Sequence, residues 1–216
     1  SVVTSVTAQH TTGVYSTHVL PVDEVAAQFD AVAGDFDLAA VKTGMLATRE
    51  VVDLVADRVA DLDAPVVVDP VMVAASGDRL LDEAAESAYA DLVAEATLVT
   101  PNADEAAVLT DREVTDVDAA EAAGAALVDL GADAALVTGG HLGDEDVVDV
   151  LVTDGAVRHL THDRVDTDAS HGSGCTLSSA VATRLAHGDD FEAAVEFGVD
   201  LLGRALRYNV DVGEGP

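Results

Sequence analysis

The sequence predicts an α/β fold in which a mostly parallel central sheet is flanked by helices on both faces and carries a late β-hairpin at one edge. Short apolar runs alternate with longer stretches of helical periodicity along the chain. The 216 residues are 49% apolar but only 3% aromatic, so Val, Ala and Leu must build the core, which suits a buried parallel sheet. Two β-rich runs separated by Asp154-Gly155 predict the hairpin.

The strands are predicted from β-branched and apolar runs that end in polar or glycine- and proline-containing loops. The clearest is Val66-Val67-Val68, which is stopped by Asp69-Pro70. Expected strands cover residues 1–7, 38–42, 66–68, 97–100, 134–138, 147–153 and 157–160. Because a polar segment follows the first strand, we expect Gln9 in a loop beyond a carboxyl end of the sheet, where open α/β sheets bind ligands.

The helices are predicted where capping residues precede an amphipathic pattern. Thr48 is a candidate N-cap, and Asn102 followed by Glu105 has the spacing of a capping box. Expected helices cover residues 23–33, 48–62, about 79–96, a short segment after 102, 116–130, a segment from the glycine-rich loop to about 187, and 191–208. We find no repeat or linker, so residues 1–216 are expected to form one domain.

The charge balance is strongly acidic, with 41 acidic and 10 basic residues and a net charge of −31. Such a field repels nucleic acid and anionic membranes, so neither is an expected partner. We interpret the scattered carboxylates as a halophile's hydrated surface; an acidic mimic of nucleic acid is the alternative. The single cysteine excludes an internal disulfide and favours a reducing cytoplasm, and no apolar run is long enough to span a membrane.

A glycine-rich loop is the segment with the clearest chemical potential. Gly172-Ser173-Gly174-Cys175 leads from polar residues into an apolar helical pattern. The free N–H groups and the dipole at the start of such a helix form an anion-binding site, and they would also stabilise a thiolate. The alternative is a turn capped by Ser170 or Ser173 beside an inert cysteine.

Several other strand ends carry groups that suit phosphate and metal chemistry. Asp69 and Glu105 offer the hard oxygen ligands that Mg²⁺ prefers, and Gly139-Gly140 offers a backbone that can surround phosphates. These residues predict phosphoryl transfer, which depends mainly on positioning and charge neutralisation. The sequence contains no Gly-x4-Gly-Lys-Ser/Thr motif, which argues against a P-loop kinase.

Five motifs follow one another along nearly the whole chain. They are Thr7-Ala8-Gln9-His10-Thr11, Val41-Lys42-Thr43-Gly44-Met45-Leu46, Asp69-Pro70-Val71-Met72-Val73-Ala74, Thr100-Pro101-Asn102-x-x-Glu105 and His171-Gly172-Ser173-Gly174-Cys175-Thr176-Leu177-Ser178. In this order they resemble the hydroxymethylpyrimidine/phosphomethylpyrimidine kinases of thiamine biosynthesis, which belong to the ribokinase-like superfamily.

The resemblance implies a kinase that uses ATP and Mg²⁺ to phosphorylate a hydroxymethylpyrimidine and then its monophosphate. It further implies a cytoplasmic homodimer. The substrate-binding residues would be Gln9, Met45 and Val71, and the metal-binding residues Asp69 and Glu105. The ATP- or phosphate-binding residues would be Asn102, Thr138, Gly139 and Gly140. The catalytic residues would be Gly172, Ser173, Gly174 and Cys175, with the Cys175 thiol, its pKa lowered by the helix N-terminus, taking the substrate proton.

The sequence departs from the family pattern in three respects, which keep other functions open. The family's first strand and its glycine-rich loop precede Ser1, so we expect a truncated domain. Lysines common in the family are replaced by Ala75 and Thr138, and Lys42 or Arg79 could compensate for the lost charge. The alternatives are a pyridoxal or pyridoxine kinase of the same fold and a non-catalytic pyrimidine-binding module.

Overall fold

The computed structural model describes residues 1–72, 80–140, 146–167 and 171–208. The strands are β1 (Ser5–His10), β2 (Gly13–Val19), β3 (Val41–Thr43), β4 (Val66–Val68), β5 (Leu98–Val99), β6 (Ala134–Val137), β7 (Asp146–Thr153) and β8 (Ala156–Asp163). The helices are α1 (Val22–Asp35), α2 (Arg49–Ala60), α3 (Glu83–Glu86), α4 (Tyr89–Ala94), α5 (Ala103–Thr110), α6 (Val117–Asp129), α7 (Ser173–Ala186) and α8 (Phe191–Arg207).

The central sheet has six strands in the order β3-β4-β5-β6-β7-β8. Strands β3 to β6 are parallel, whereas β7 and β8 are antiparallel additions at one edge. Gly155 lies between β7 and β8 with a φ of 82°, a conformation that glycine adopts without strain. The predicted α/β fold with a late hairpin is confirmed, and each strand expected from residue 38 onward has a counterpart.

Helices cover both faces of this sheet because its central strands are apolar at every position. In β4, Val66 and Val68 join a core with α2 and α4 on one face, while Val67 contacts the cluster of α7 and α8 on the other. Helices α5 and α6 pack over β6 and β7 in a third cluster. Within the described residues, no helix is both long and apolar enough to cross a membrane.

The N-terminal segment differs from the sequence prediction. Instead of a sheet strand followed by a loop that carries Gln9, β1 and β2 form a separate two-stranded antiparallel ribbon, and Gln9 lies within β1. The physical reason is the polar residue at every second position of β1 (Ser5, Thr7, Gln9). A strand buried on both faces needs apolar residues throughout, as β4 has, so β1 stays at the surface.

Two helical predictions also need correction. The helix expected up to residue 96 is divided into the short helices α3 and α4, with Ser87 and Ala88 between them. Thr48 is the N-cap residue of α2 as predicted, but its side chain makes no capping hydrogen bond. In contrast, the capping box predicted for Asn102 and Glu105 is present at the start of α5.

Close packing between α7 and α8 depends on Gly198. A Cβ added at this position would lie 2.7 Å from Val181 Cγ2 and 3.1 Å from Leu177 Cδ1, both on α7. Real Cβ atoms do not approach their neighbours so closely, so the backbone of α8 can reach α7 only where a side chain is absent. Gly198 therefore helps to set the position of α7.

Substitution of Gly198 by alanine should lower the free energy of unfolding by about 1–3 kcal/mol, because the added methyl group must displace side chains of α7. Gly203→Ala on the same helix is the matched control. Nothing lies within 4 Å of its added Cβ, so alanine should stabilise the helix there by about 0.5–1 kcal/mol. Urea denaturation at a fixed salt concentration measures both. Equal effects would contradict the close packing at Gly198.

Candidate active site

The carboxyl ends of β3 and β4 meet the first turn of α7, and Asp69 lies at the meeting point. This carboxylate directly follows β4 and is only 3% exposed. Its Oδ2 atom is 3.2 Å from Lys42 Nζ and accepts a hydrogen bond from Ser178 Oγ at 3.0 Å. Strand pairing places β3 beside β4, so Lys42 reaches Asp69 from the neighbouring strand. The sequence motif contained Ser178, but its contact with Asp69 could not be predicted.

The glycine-rich loop forms the expected helix N-terminus. Gly172 is the N-cap with a φ of 79°, and no side chain caps the helix. The first intrahelical donor is Thr176 N, which bonds to Gly172 O at 2.9 Å. The N–H groups of Ser173, Gly174 and Cys175 precede this donor and have no acceptor within the helix, as at any α-helix start. This geometry fits an anion. Ser173, one of the two predicted caps, is a residue of the helix and not its cap. The other, Ser170, lies outside the described residues.

The Cys175 thiol has a different electrostatic environment from the one predicted. Cys175 is exposed as a residue, but its thiol lies within reach of side-chain hydrogen bonds to Asp69 and Lys42. Partial burial of the thiol raises its pKa, the charge of Asp69 raises it further, and Lys42 opposes both. The pKa of the thiol is therefore raised in this structure, which is opposite to the predicted direction, because burial and a nearby carboxylate disfavour the thiolate.

Glu105 and Asn102 form two reciprocal hydrogen bonds at the start of α5. Asn102 Oδ1 accepts a hydrogen bond from Glu105 N at 2.9 Å, and Glu105 Oε2 accepts one from Asn102 N at 3.0 Å. Met72 N approaches the other oxygen, Glu105 Oε1, at 3.4 Å. Burial, followed by the charge of Asp69, raises the pKa of Glu105 to about 7 against the two backbone hydrogen bonds. Asn102 is thus a helix cap. Of its polar side-chain atoms, the amide nitrogen Nδ2 is the one left to contact a phosphate.

The surroundings of Asp69 and Glu105 fit a divalent cation. The buried Tyr89 hydroxyl has no hydrogen-bond partner among the described residues, and burial together with the charges of Asp69 and Glu105 raises its pKa. A cation and its water would offset the charge of Asp69, which disfavours ionisation of Glu105, and would give the unpaired Tyr89 hydroxyl a partner. In the described part of the chain no three His, Cys, Asp or Glu residues cluster as metal ligands. Phosphates and water would therefore supply most ligands, as is usual for Mg²⁺.

The β1–β2 ribbon extends across the opening of this site. At its base, Thr4 Oγ1 donates to Met45 O at 2.7 Å, and Ser5 Oγ lies 3.5 Å from Met45 Sδ. Further along the ribbon, Gln9 Nε2 is 3.1 Å from His171 Nε2, directly before the α7 loop. The structure therefore brings Gln9 and Met45 to the same opening, although Gln9 arrives on a strand and not on a loop.

Val71 lies near the base of the site, two residues after Asp69. It is half-buried, and its N–H donates to Asp69 O at 2.9 Å. Ala75 and Arg79, which the sequence analysis also considered, lie outside the described residues.

The turn formed by Gly139 and Gly140 is held from the hairpin side. Gly139 N donates to Asp149 Oδ1 at 2.8 Å, and Arg164 Nη1 donates to Gly140 O at 2.8 Å. The Gly139 N–H is therefore occupied by Asp149 in this structure, and the phosphate-binding role of Gly139 and Gly140 stays a prediction. Asp149 was not among the predicted residues, although a lone acid inside the apolar run of β7 is a usable signal.

Thr138, the fourth residue assigned to phosphate binding, connects this turn to α5. Its N–H donates to Pro101 O at 2.9 Å, and it forms an isolated parallel bridge with Asn102. The predicted phosphate-binding residues thus lie side by side at the carboxyl edge of the sheet, which agrees with the strand-end argument.

A cleft of about 480 Å³ adjoins Cys175 along α7. Its lining comes from one side of α7 and from two apolar residues of α8, namely Cys175, Thr176, Ser179, Ala180, Thr183, Phe197 and Leu201. The walls are mostly apolar, and the cleft begins at the N-terminus of α7. Such a cleft can accept a flat apolar group attached to an anion that is bound at the helix start.

The raised pKa of Glu105 predicts a pH-dependent stability that Glu105→Gln removes. Between pH 4.5 and about 7 the unfolded chain loses the Glu105 proton before the folded chain does, so stability falls as the pH rises. The stability difference between the native chain and the variant should therefore change by on the order of 3 kcal/mol across this range. Urea titrations at constant salt measure it, and exposed Glu95→Gln is the control. A difference that does not vary with pH would contradict the burial of this carboxyl group.

Comparisons with known proteins agree with this geometry. The family model for phosphomethylpyrimidine kinase matches residues 1–216. The hydroxymethylpyrimidine/phosphomethylpyrimidine kinase of Streptomyces coelicolor is 45% identical over 217 residues, which cover all of this chain and 80% of the relative. The Bacillus subtilis enzyme of the same name is 35% identical and is covered to the same extent.

Solved structures of two kinases are also similar to this chain. A phosphomethylpyrimidine kinase from Clostridium difficile has a TM-score of 0.82 and 32% identity, covering 95% of this chain and 85% of its own. The ADP complex of Bacillus subtilis pyridoxal kinase has a TM-score of 0.84 and 30% identity, covering 92% and 75%. The chain is therefore a phosphotransferase with a ribokinase-like fold, and it belongs to the phosphomethylpyrimidine kinase family.

Proposed function

We propose that this chain transfers phosphate from ATP to the hydroxymethyl group of 4-amino-5-hydroxymethyl-2-methylpyrimidine and then phosphorylates the monophosphate to the diphosphate. The observation that carries this proposal is the uncapped N-terminus of α7, which faces Asp69 and Lys42 and includes Cys175. The relatives' shared name, hydroxymethylpyrimidine/phosphomethylpyrimidine kinase, supports the choice of substrate.

The proposed reaction uses three features of the site. The substrate hydroxyl oxygen forms a bond to the γ-phosphorus while the bond from that phosphorus to the ADP oxygen breaks. The N–H groups of Ser173, Gly174 and Cys175 stabilise the charge on the transferred group. Lys42, the single lysine of the chain, supplies a positive charge beside it. Asp69 and Glu105 would hold Mg²⁺ through water and phosphate, and the cation would neutralise phosphate charge.

Cys175 is proposed to accept the proton of the substrate hydroxyl. In this structure burial and then the charge of Asp69 raise the pKa of the thiol, and Lys42 lowers it. Compensation of the Asp69 charge would remove one of the two causes of the raised pKa, so we expect proton transfer to be easier in the complete site. Gln9 and Met45 are proposed to contact the pyrimidine, because the ribbon holds both at the opening.

A pyridoxal kinase is the second candidate, and structural similarity favours it. A Staphylococcus aureus pyridoxal kinase in complex with AMP-PCP and pyridoxal has a TM-score of 0.86 and 27% identity, covering 97% of this chain and 77% of its own. Both substrates present a hydroxymethyl group on a flat heteroaromatic ring, so the same phosphate chemistry would serve both.

Side-by-side assays distinguish the two candidates. The purified chain is incubated with MgATP and either hydroxymethylpyrimidine or pyridoxal in molar KCl, and ADP and the phosphorylated product are quantified. We expect kcat/KM for the pyrimidine to exceed that for pyridoxal by at least about 10-fold, as expected for substrates that differ in buried polar contacts. Faster turnover of pyridoxal would contradict the proposal, and binding of the pyrimidine without turnover would indicate a non-catalytic module.

Two variants test the proposed residues in the same assay. Cys175→Ala should lower kcat by about 100-fold or more, because positioned proton transfer is lost. Lys42→Met should lower kcat/KM by at least about 10-fold, because a preorganised charge is lost. Lys42→Arg, which keeps the charge, is the matched control. Native kcat in folded Cys175→Ala would contradict a role of the thiol in proton transfer.

We also propose that the protein is a homodimer that works in the cytoplasm of a salt-rich cell. In the described part of the chain most positions of the β1–β2 ribbon are exposed, among them Val6 and Tyr15. A two-stranded ribbon alone is only marginally stable, so a second copy packed on it would stabilise it.

Light scattering in molar KCl tests the dimer. We expect twice the chain mass of 22.0 kDa for the native protein. Tyr15→Ser should shift the equilibrium toward single chains, because it removes the most exposed aromatic side chain of the ribbon. A native monomer at assay concentration would contradict the proposed dimer.

A further inference from the structure

Asp149 is a buried carboxylate that the proposed reaction does not use. It lies in β7 among apolar residues and is only 4% exposed. Burial of a charged group is costly unless hydrogen bonds or opposite charges compensate it. Here Oδ1 accepts a hydrogen bond from Gly139 N at 2.8 Å, and Oδ2 lies 3.1 Å from His162 Nε2 on β8. Both oxygens therefore have a defined partner.

The Gly139–Gly140 turn depends on these contacts for its position. Gly139 is so close to β7 that an added Cβ would lie 1.9 Å from Val148 O. Its N–H is taken by the Asp149 side chain, and Arg164 holds the carbonyl of Gly140. Asp149 of the hairpin and Arg164, the residue that follows it, thus hold the N–H of Gly139 and the carbonyl of Gly140, while the Thr138–Asn102 bridge connects the turn to α5.

We propose that Asp149 is a positioning residue that holds the Gly139–Gly140 turn in the conformation that binds the nucleotide phosphates. The inference rests on the proposed function, since it assumes a nucleotide at this edge of the sheet. Asp149 itself does not contact the nucleotide, because it is buried and its oxygens are occupied. It acts through the backbone of Gly139, whose N–H would otherwise be left without an acceptor in a buried position.

His162 supports this arrangement from the hairpin side. Its Nε2 atom faces Asp149, and its side chain is 29% exposed, toward a groove that also contains Glu196, Asp200 and Arg207 of α8. His162 therefore limits the orientations open to the Asp149 carboxylate and keeps Oδ1 directed at Gly139 N.

The test compares two substitutions of Asp149 that differ in hydrogen bonding. Asp149→Asn keeps the size of the side chain and can retain both contacts, because Oδ1 accepts from Gly139 N and Nδ2 donates to unprotonated His162 Nε2. Asp149→Ala removes both. Calorimetry with MgADP gives the nucleotide affinity, and steady-state assays give separate KM values for ATP and the pyrimidine.

We expect Asp149→Ala to raise the dissociation constant of ADP and the KM for ATP by at least about 10-fold, corresponding to a lost buried hydrogen bond. The KM for the pyrimidine should change less than about 2-fold, and Asp149→Asn should remain within about 3-fold of the native chain. His162→Ala, a substitution at a partly exposed position, should cause an intermediate loss of ADP affinity. It replaces Asp149→Ala as the test variant if Asp149→Ala does not fold.

Three outcomes would overturn the inference. These are native ADP affinity in a folded Asp149→Ala protein, equal rises of both KM values, and a loss of affinity in Asp149→Asn as large as in Asp149→Ala. A failure of the proposed function can be told apart from a failure of this inference. If the native chain binds ADP but phosphorylates neither substrate, the proposed reaction is contradicted, while the comparison of ADP affinities still tests Asp149.

Discussion

The buried carboxylate of Asp69 is the group on which the electrostatics of the site depend. It lies at the end of a strand that is apolar on both sides, so its charge is poorly solvated and must be compensated by the protein. Lys42 and Ser178 provide part of this compensation from β3 and α7. Burial, together with the charge of Asp69, raises the pKa of Cys175, Glu105 and Tyr89, which stand on three other elements. Asp69 therefore contributes to the protonation of three neighbouring groups.

The position of Lys42 is important because the chain is so acidic. With 41 acidic residues and a net charge of −31, the protein repels the anionic substrates and nucleotides that a kinase must bind. The single lysine is only 20% exposed and points at the site, not at the acidic surface. A local positive charge in a partly buried position is screened less by salt than a surface charge. We therefore expect Lys42 to help the site attract phosphate even though the molecule as a whole repels it.

The sequence allowed much of this arrangement to be predicted, and the exceptions have physical causes. Runs such as Val66-Val67-Val68 and the Asn102–Glu105 capping box are local signals, and both appear in the structure as expected. Pairing between distant segments is not local, so the sequence does not show that β1 pairs with β2 outside the central sheet. The raised pKa of the Cys175 thiol likewise depends on burial by the fold and on Asp69, which is far away in sequence.

The role proposed for Asp149 likewise depends on a contact that the sequence does not reveal. Its acidic side chain in an apolar strand was visible in the sequence, but the partner that explains it, Gly139 N–H, is a backbone group on another strand. A motif identifies side chains that face a ligand more readily than groups that hold the ligand-binding backbone. The supporting residues of this site could therefore be identified only from the structure.

The proposed site has two parts, one for phosphate and one for the ring. The helix start, Asp69 and the glycine turn are proposed to bind phosphate, which is common to both candidate reactions. Ring contacts, in contrast, would come from Gln9 and Met45 at the opening, and Gln9 reaches it on a ribbon that is separate from the central sheet. A change in the ribbon can alter which ring fits without disturbing the buried charges below. On the proposed roles, we therefore expect substrate choice to depend more on the ribbon and its contact with His171 than on the phosphate-binding residues.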